Sequence, residues 1–267
     1  FFFFFFLLLF FLSFRRHQVS WMGNEGTVMP LPNWNVNTRG VTLDGSGVPY
    51  GEPNGTRWVP AHCDAVLRRH AWNWSPNWDR LPLNTAPDLV AMHLTSVGRG
   101  CNMVLDVAPN RDGVLDPTDA ATYPAFGRAL AALYQNSSRV AGQLPSPPPN
   151  CSTFELPLRA PVTRGALVMR EQLALGQTVY AYTVEARSGS PSAPWAPLPL
   201  NNGELSTIGN HRIHMWNGTQ GVVALRVNVS TLRLATGQPA PANLRQLTAI
   251  DWSDPALDPL LASMPSH

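Results

Sequence analysis

The stretch "PDLVAMHLTSVGRGCNMVLDVAP", residues 87–109, decides the fold class of this chain. Its first half carries Leu89, Val90, Leu94 and Val97 at helical spacing. Its second half, "CNMVLDVAP", is a short apolar run of the kind that forms a buried strand and ends at Pro109. Upstream, "GTRWVPAHCDAVL" predicts another strand that runs into a loop. Strand, helix and strand in this order favour a parallel α/β architecture.

The sequence changes character after a proline-rich segment, "RVAGQLPSPPPNCST", at residues 139–153. Four prolines with glycine and serine predict no regular element there, so the segment is interpreted as a linker. Beyond it, runs such as "QTVYAYTVEAR" and "GVVALRVNVSTLRLA" predict strands at regular spacing and an all-β sandwich. The predicted organisation is an apolar segment at 1–16, an α/β region at 17–140, the linker at 141–153 and a β-sandwich with an irregular tail at 154–267.

Composition excludes several classes of protein. The chain has 267 residues, 44% of them hydrophobic, which suffices for a sizeable core. A net charge of +2 does not predict a nucleic-acid partner. The opening "FFFFFFLLLFFLSFRR" is too short for a membrane span and lacks the basic start of a signal peptide. It is therefore left out of the fold prediction, and no stable membrane span is expected.

Compartment is predicted from cysteines and from glycosylation sequons. Three cysteines, Cys63, Cys101 and Cys151, allow at most one internal disulfide and leave one thiol over. Adjacent thiol and imidazole groups at His62 and Cys63 suggest thiol catalysis only weakly, because neighbours on a strand face apart. N-x-S/T sequons favour a secreted, lysosomal, vacuolar or apoplastic protein; they lie at Asn54, Asn73, Asn136, Asn150, Asn217 and Asn228.

Reactive groups are expected where parallel strands end, because these ends converge on one side of the sheet. "WVPAHCD" supplies such groups after one strand, and "LDVAPNRDG" after the next, where Asp106, Asn110 and Asp112 are the polar candidates. A third stretch, "WMGNEGT", places Glu25 among glycines just after Trp21. Taken alone, Glu25 has two interpretations, a solvated surface turn or a carboxylate of a sugar site.

These three stretches, in this order, resemble the α-L-fucosidases of glycoside hydrolase family 29, in the plant and bacterial branch that prefers α-1,3 and α-1,4 linked fucose. "WMGNEG" resembles the family's W-[IV]-G-N-E-x-G, and "SVGRGCNMVLDVAPNRDGVL" resembles S-V-G-R-N-x-N-L-L-L-N-x-P-P-x-x-x-G. "GTRWVPAHCDAVLR" resembles the pattern W-x-P-A-E-x-D-x-S-I-R, so the likeness spans about residues 20–135. "REQLALGQTVYAYTVEA" resembles the start of the sandwich that follows the barrel.

The resemblance implies the second half of a (β/α)8 barrel of the TIM type followed by a C-terminal β-sandwich. It also implies retaining hydrolysis of terminal α-L-fucose from glycans, with one carboxylate as nucleophile and one as acid/base. Glu25 matches the acid/base position, and apolar surroundings such as Trp21 would keep its carboxyl protonated. Trp58, His62, Asp64 and Trp72 are predicted as substrate-binding residues around it. Neither a metal nor a cofactor is predicted.

The chain also departs from the family pattern. The family's nucleophilic aspartate lies in a W-x-D-G motif before the acid/base, and no such motif occurs in these residues. We therefore expect a truncated chain that lacks the nucleophile. His62 stands where the pattern has glutamate, which replaces an anion with an imidazole that is mostly neutral at pH 7. "VLRRHAW" replaces the pattern's "SIRPGW" and is one residue longer, so Trp72 is offset by one residue from the family's aromatic.

Two metal-like patterns carry little weight. "APNRDGVLDPTD" resembles a calcium loop but has Ala108 at the first ligand position, so a turn that enters a helix near Pro117 is the better interpretation. His211 and His214 are three apart on a predicted strand, so they face opposite sides and cannot share a metal.

Two functions remain open at this stage. The first is an α-L-fucosidase that acts on fucosylated glycans. The second is a non-catalytic remnant whose sandwich binds carbohydrate or protein. Since half a barrel leaves strand edges unpaired, we also expect the chain to be poorly soluble or to form oligomers.

Overall fold

The computed structural model describes residues 19–22, 25–37, 51–53, 55, 57–144, 151–231, 240, 242 and 244–263. The apolar segment 1–16 lies outside these ranges, as do the sequons at Asn54 and Asn150. Within the ranges, no helix is both long and apolar enough to cross a membrane.

The N-terminal region is built on a small parallel sheet. Its strands are β1 (Ser20–Trp21), β4 (Ala61–Val66) and β5 (Asn102–Asp106), in the order β1-β4-β5. Both pairings are parallel, as the sequence predicted. A separate antiparallel pair is formed by β2 (Val36–Asn37) and β3 (Arg57–Trp58). Three parallel strands support the α/β prediction, but they do not establish the predicted half of a TIM barrel.

Helix α1 (Ala86–Ser96) connects β4 to β5 and begins and ends as its sequence dictates. The Asp88 carboxylate accepts from the Thr85 backbone N–H at 2.9 Å, which caps the first turn. After a short 3-10 turn the chain leaves the helix at Gly100, whose φ of 79° suits glycine. The predicted apolar stripe is confirmed at Leu89, Val90 and Leu94, which are fully buried. Val97, its fourth predicted member, lies in the 3-10 turn and is only partly buried.

Helix α2 (Pro117–Leu130) confirms that "APNRDGVLDPTD" is a turn that enters a helix. The Asn110 side chain accepts from the backbone N–H groups of Asp112 and Val114, which closes the turn. Asp116 then caps the helix by accepting from the Thr118 N–H at 2.8 Å.

The C-terminal region is one antiparallel sheet of six strands in the order β6-β11-β7-β10-β8-β9. A short helix α3 (Asp258–Leu261) follows it. The strands are β6 (Val140–Leu144), β7 (Thr153–Glu171), β8 (Val179–Ser188), β9 (Ala196–Pro197), β10 (Arg212–Thr231) and β11 (Leu244–Asp251).

The long strands of this sheet contribute to two apolar cores. Leu167 and Met169 of β7 join a core made largely by the other strands of the sheet. Ala166 and Val168, which alternate with them, pack with residues of α1 and α2 in a second core. A mostly antiparallel sheet that buries apolar side chains on both faces is consistent with the predicted sandwich.

Two local predictions were wrong. Residues 139–153 were expected to form no regular element, but Val140–Leu144 is strand β6, paired with β11 through Leu144 and Leu247. Pairing with a strand about a hundred residues away is not visible in the local sequence. Strand β5 was expected to be buried, yet its residues are exposed or only partly buried, and Val104 is 48% exposed.

A buried ion pair joins β4's end to α2. The Arg68 guanidinium lies 2.6 Å from the carboxylate of Asp119, which also accepts from the Trp78 indole at 2.7 Å. Arg68 is 5% exposed and Asp119 is fully buried. Asp119→Ala would remove the nearer of the two carboxylates beside the guanidinium and leave only Asp116, at 3.5 Å, so we expect a loss of about 3 kcal/mol in the free energy of unfolding.

Urea unfolding at neutral pH measures this loss. Asp112→Ala, in the exposed turn, is the matched control and should change stability by less than about 0.5 kcal/mol. Equal, small effects of both substitutions would show that the buried carboxylate of Asp119 adds no more to the free energy of unfolding than an exposed one.

Burial makes the fold sensitive to acid. Desolvation lowers the pKa of His93 to about 4 and those of His211 and His214 to about 3. Each folded-state pKa lies below the unfolded value, so the unfolded chain binds more protons once the pH falls below about 6.5. The neutral imidazoles therefore make their full contribution to the free energy of unfolding above about pH 6.5. That contribution is lost as the pH falls from about 6.5 to the folded-state pKa values.

His93 offers the cleanest test, because its ring packs against Phe126 and Tyr134 and phenylalanine can take its place. Between pH 7 and pH 5 we expect the protonation of His93 in the unfolded chain to cost about 2 kcal/mol. The His93→Phe variant should lose that much less stability than the parent over the same interval, as measured by urea unfolding at each pH. An identical loss in both proteins would contradict the assignment.

Candidate functional site

Strands β1 and β4 place their polar side chains on one face of the parallel sheet. Trp21 pairs in register with His62, and residues at paired positions of neighbouring strands point to the same side. Asp64, two residues after His62, shares that side. Both residues were predicted to follow a strand, but they lie within β4. The Trp21 indole donates a hydrogen bond of 2.6 Å to the Asp64 carboxylate, so the two motifs meet directly.

Glu25 lies just beyond the end of β1 and is exposed. Its Oε2 accepts a hydrogen bond of 2.9 Å from the Trp72 indole, which comes from the loop after β4. The sequence suggested Trp21 as the tryptophan beside Glu25, whereas the indole that binds this carboxylate is that of Trp72. Glu25 and Trp72 are therefore brought together, as are Trp21 and Asp64.

His62 is half-buried on the same face. Burial lowers the pKa of its imidazole, and the nearby Asp64 carboxylate opposes this effect only in part. The ring is therefore neutral at pH 7 and can both donate and accept a hydrogen bond.

Trp58 is placed differently from the other predicted residues. It lies on β3, in the two-stranded sheet with β2, and is 39% exposed. The structure thus brings two pairs of predicted residues into contact and leaves Trp58 in a neighbouring element, three residues before β4 begins.

The opposite face of β4 packs in a small core rich in sulfur-containing side chains. Cys63 and Cys101 form a disulfide that ties β4 to the start of β5. They belong to a small buried cluster with Met22, Met29 and Ala61. Cys151 is the free thiol. The sequence predicted one disulfide at most, and the pairing needed the structure because any two of three cysteines can bond.

Asp106, at the end of β5, is the strand-end carboxylate with the most unusual surroundings. Its Oδ2 is buried and makes no hydrogen bond within the described residues. Burial raises the pKa of this carboxyl. Asn110 and Asp112, also strand-end candidates, instead build the surface turn before α2.

An open cavity of about 430 Å³ adjoins Glu25, between β4 and one side of α1. Among the predicted site residues, Glu25 alone lines it. Arg69 is held there by the Asn84 side chain at 2.9 Å and by the Asp88 carboxylate at 3.6 Å. Sequence reasoning missed these groups, although "RRHAW" directly follows a predicted strand. The lining residues are Glu25, Gly26, Thr27, Val28, Ala65, Val66, Arg69, His70, Asn84, Asp88, Ala91, Met92, Thr95 and Ser263.

Comparison with known proteins agrees with the motifs. No family model matches the chain. Alpha-L-fucosidase 1 of Arabidopsis thaliana is 25% identical over 227 residues, which is 73% of this chain. The chain is thus similar to α-L-fucosidases, and the resemblance inferred from its motifs is confirmed.

Solved structures share the fold. A glycoside hydrolase 29 family member from an unknown rumen bacterium superposes with a TM-score of 0.72 at 20% identity and covers 90% of this chain. A Ruminococcus gnavus GH29 fucosidase in complex with fucose also covers 90%, with a TM-score of 0.70 at 18% identity.

The chain spans less than two thirds of the length of these proteins. The match covers 43% of the Arabidopsis protein, 41% of the rumen bacterial chain and 52% of the Ruminococcus chain. Partial coverage fits a match to the C-terminal portion of such enzymes.

Proposed function

We propose that this chain is part of an α-L-fucosidase that releases terminal α-L-fucose from glycans with retention of configuration. The observation that carries the proposal is the parallel register of β1 and β4, which places Trp21 of "WMGNEG" beside His62 of "WVPAHCD" on one face of the sheet. Similarity to plant and bacterial fucosidases supports the same reaction.

Glu25 is the proposed acid/base. In a retaining reaction this group gives its proton to the glycosidic oxygen and then takes one from the attacking water. The Trp72 indole is a donor only, so it fixes one carboxyl oxygen and leaves the other free to transfer the proton.

His62 and Asp64 are proposed to bind the hydroxyl groups of fucose. They lie side by side along β4, and the Trp21 indole orients the carboxylate of Asp64. A neutral imidazole suits an uncharged sugar, because it needs no counter-ion when substrate excludes water. Trp58 and Trp72 are proposed to line the pocket with their rings.

The rest of the glycan is proposed to enter the cavity beside Glu25. The bond that is cleaved must lie against the acid/base, so the leaving group extends from Glu25 on the side away from fucose. Arg69, Asn84 and Asp88 line the cavity and offer donors and acceptors for sugar hydroxyls.

The proposal is tested by following fucose release from a fucosylated trisaccharide by proton NMR, with the longest form of the protein that can be expressed. We expect α-L-fucose to appear first and to equilibrate with the β anomer later. Release of the β anomer first would exclude a retaining mechanism, and no release by any form would exclude the function.

We further propose that the protein matures in the secretory pathway. The buried Cys63–Cys101 disulfide supports this proposal, because disulfides persist in oxidising compartments. Asn73, Asn136 and Asn217 are exposed sequon residues within the described ranges. Asn228 is a poor site for glycan attachment, because its side-chain amide already donates a hydrogen bond to Glu185 at 2.9 Å.

A further inference from the structure

The structure assigns a second carbohydrate site to the outer face of the antiparallel sheet, around Trp195, where we propose that a neutral oligosaccharide binds. Trp195 directly precedes β9, and β9 pairs with β8 through Pro197 and Glu185. We call this face the Trp195 surface. Its other members are outward-facing side chains of β7, β8 and β10, namely Thr153, Glu155, Thr183, Glu185, Arg187, Arg226 and Asn228.

Strand register arranges these polar side chains in two rows. Arg226 of β10 lies between Glu155 of β7 and Glu185 of β8. In the next row, Asn228 lies between Thr153 and Thr183. The apolar side chains that alternate with them belong to the core on the opposite face.

Hydrogen bonds within the rows hold the side chains in place. Glu185 accepts from Arg226 at 2.8 Å and from Asn228 at 2.9 Å. The Thr153 hydroxyl donates to the side-chain Oδ1 of Asn228 at 3.0 Å. Because these groups are already ordered, a ligand that uses their remaining donors and acceptors loses less conformational entropy on binding.

Trp195 lies at one edge of the rows, against two guanidinium groups. The Arg187 and Arg226 guanidinium carbons lie 4.5 and 4.6 Å from the centre of its ring. Arg187 also donates to the Pro191 carbonyl at 2.7 Å, which fixes the loop that carries the tryptophan. The indole is thus held rigidly and remains partly exposed.

Charge and chemistry together select a neutral saccharide. The surface carries two guanidinium and two carboxylate groups, so it offers no net charge to a polyanion. A sugar ring has an apolar C–H face that packs on an aromatic ring and a rim of hydroxyls that need fixed donors and acceptors. A tryptophan beside ordered Glu, Asn and Thr side chains supplies both kinds of contact. The site lies on a different sheet from Glu25 and does not depend on the proposed fucosidase function.

Indole signals in a ¹H–¹⁵N spectrum of the full chain test this assignment residue by residue. A fucosylated xyloglucan oligosaccharide, its defucosylated form and heparin are the probes, and Trp195→Phe identifies the Trp195 signal. We expect both neutral probes to shift the Trp195 signal and heparin to leave it unchanged. Shifts confined to Trp21, Trp58 or Trp72 would support the fucosidase site while overturning the Trp195 surface.

Substitutions measure how much Trp195 contributes to the affinity for the defucosylated probe. Trp195→Ala should weaken binding of the defucosylated probe by about tenfold or more, while Trp195→Phe keeps most of the affinity. Tyr180→Ala, which removes an aromatic ring that is 46% exposed on β8, is the matched control and should have no effect. Unchanged affinity in a folded Trp195→Ala variant, tighter binding of heparin, or no binding up to millimolar concentration would each overturn the proposal.

Discussion

Residues 1–267, purified alone, are expected to give no turnover of 4-nitrophenyl α-L-fucoside above a Glu25→Gln control. A retaining enzyme needs a carboxylate nucleophile to form the glycosyl intermediate, and none of the nine tryptophans here begins a W-x-D-G motif. Because catalytic groups act as a unit, removing the nucleophile eliminates the benefit of the acid/base as well. The expected effect is therefore the loss of measurable activity.

Turnover above the control would contradict this expectation and point to another carboxylate. Asp64, within β4, and Asp106, at the end of β5, are the candidates. The Trp21 hydrogen bond keeps the Asp64 carboxylate oriented. Burial raises the pKa of Asp106, which works against its use as an anionic nucleophile. Asp64→Asn and Asp106→Asn would show which carboxylate is responsible.

The second large effect concerns Glu25→Gln in any longer form of the protein that releases fucose. A natural fucoside has a poor leaving group and needs a proton, so its rate should fall by about 10²–10⁴-fold. An aryl fucoside with a good leaving group needs no proton, so its glycosylation step should slow far less. The kcat/KM values on the two substrates, which report the glycosylation step, measure the difference, because the second step is slow for both substrates in this variant.

The matched control is Asp112→Asn, which also neutralises an exposed carboxylate but in the turn before α2. Both substrates should react with this variant as they do with the parent. Equal losses on the two substrates in Glu25→Gln would reassign the role of Glu25 to binding or to structure.

The local sequence pattern was sufficient to predict those elements whose structure depends on neighbouring residues. The stripe of Leu89, Val90 and Leu94 predicted α1, and the turn before Pro117 predicted the start of α2. Predictions failed where distant residues decide. Strand β6 depends on pairing with β11, and the exposure of Val104 depends on what covers β5.

The candidate site shows the same division. Glu25 and Trp72 were found through motif resemblance, and their hydrogen bond spans 47 residues of sequence. The contact between Trp21 and Asp64 spans 43 residues of sequence. Trp21 was expected to lie against Glu25, but its indole binds Asp64 instead. Patterns within a short stretch of sequence cannot predict a contact between distant residues. The contact between Trp21 and Asp64 arises from the parallel pairing of β1 with β4.

Azide rescue tests the central claim, that Glu25 is the acid/base, most directly. In an active longer form, Glu25→Gly should react slowly with an aryl fucoside because water lacks a base for the second step. Azide needs no base, so it should attack the intermediate, restore the rate and yield α-L-fucosyl azide. Formation of the β azide would make Glu25 the nucleophile, and the absence of rescue in a folded variant would contradict its assignment as acid/base.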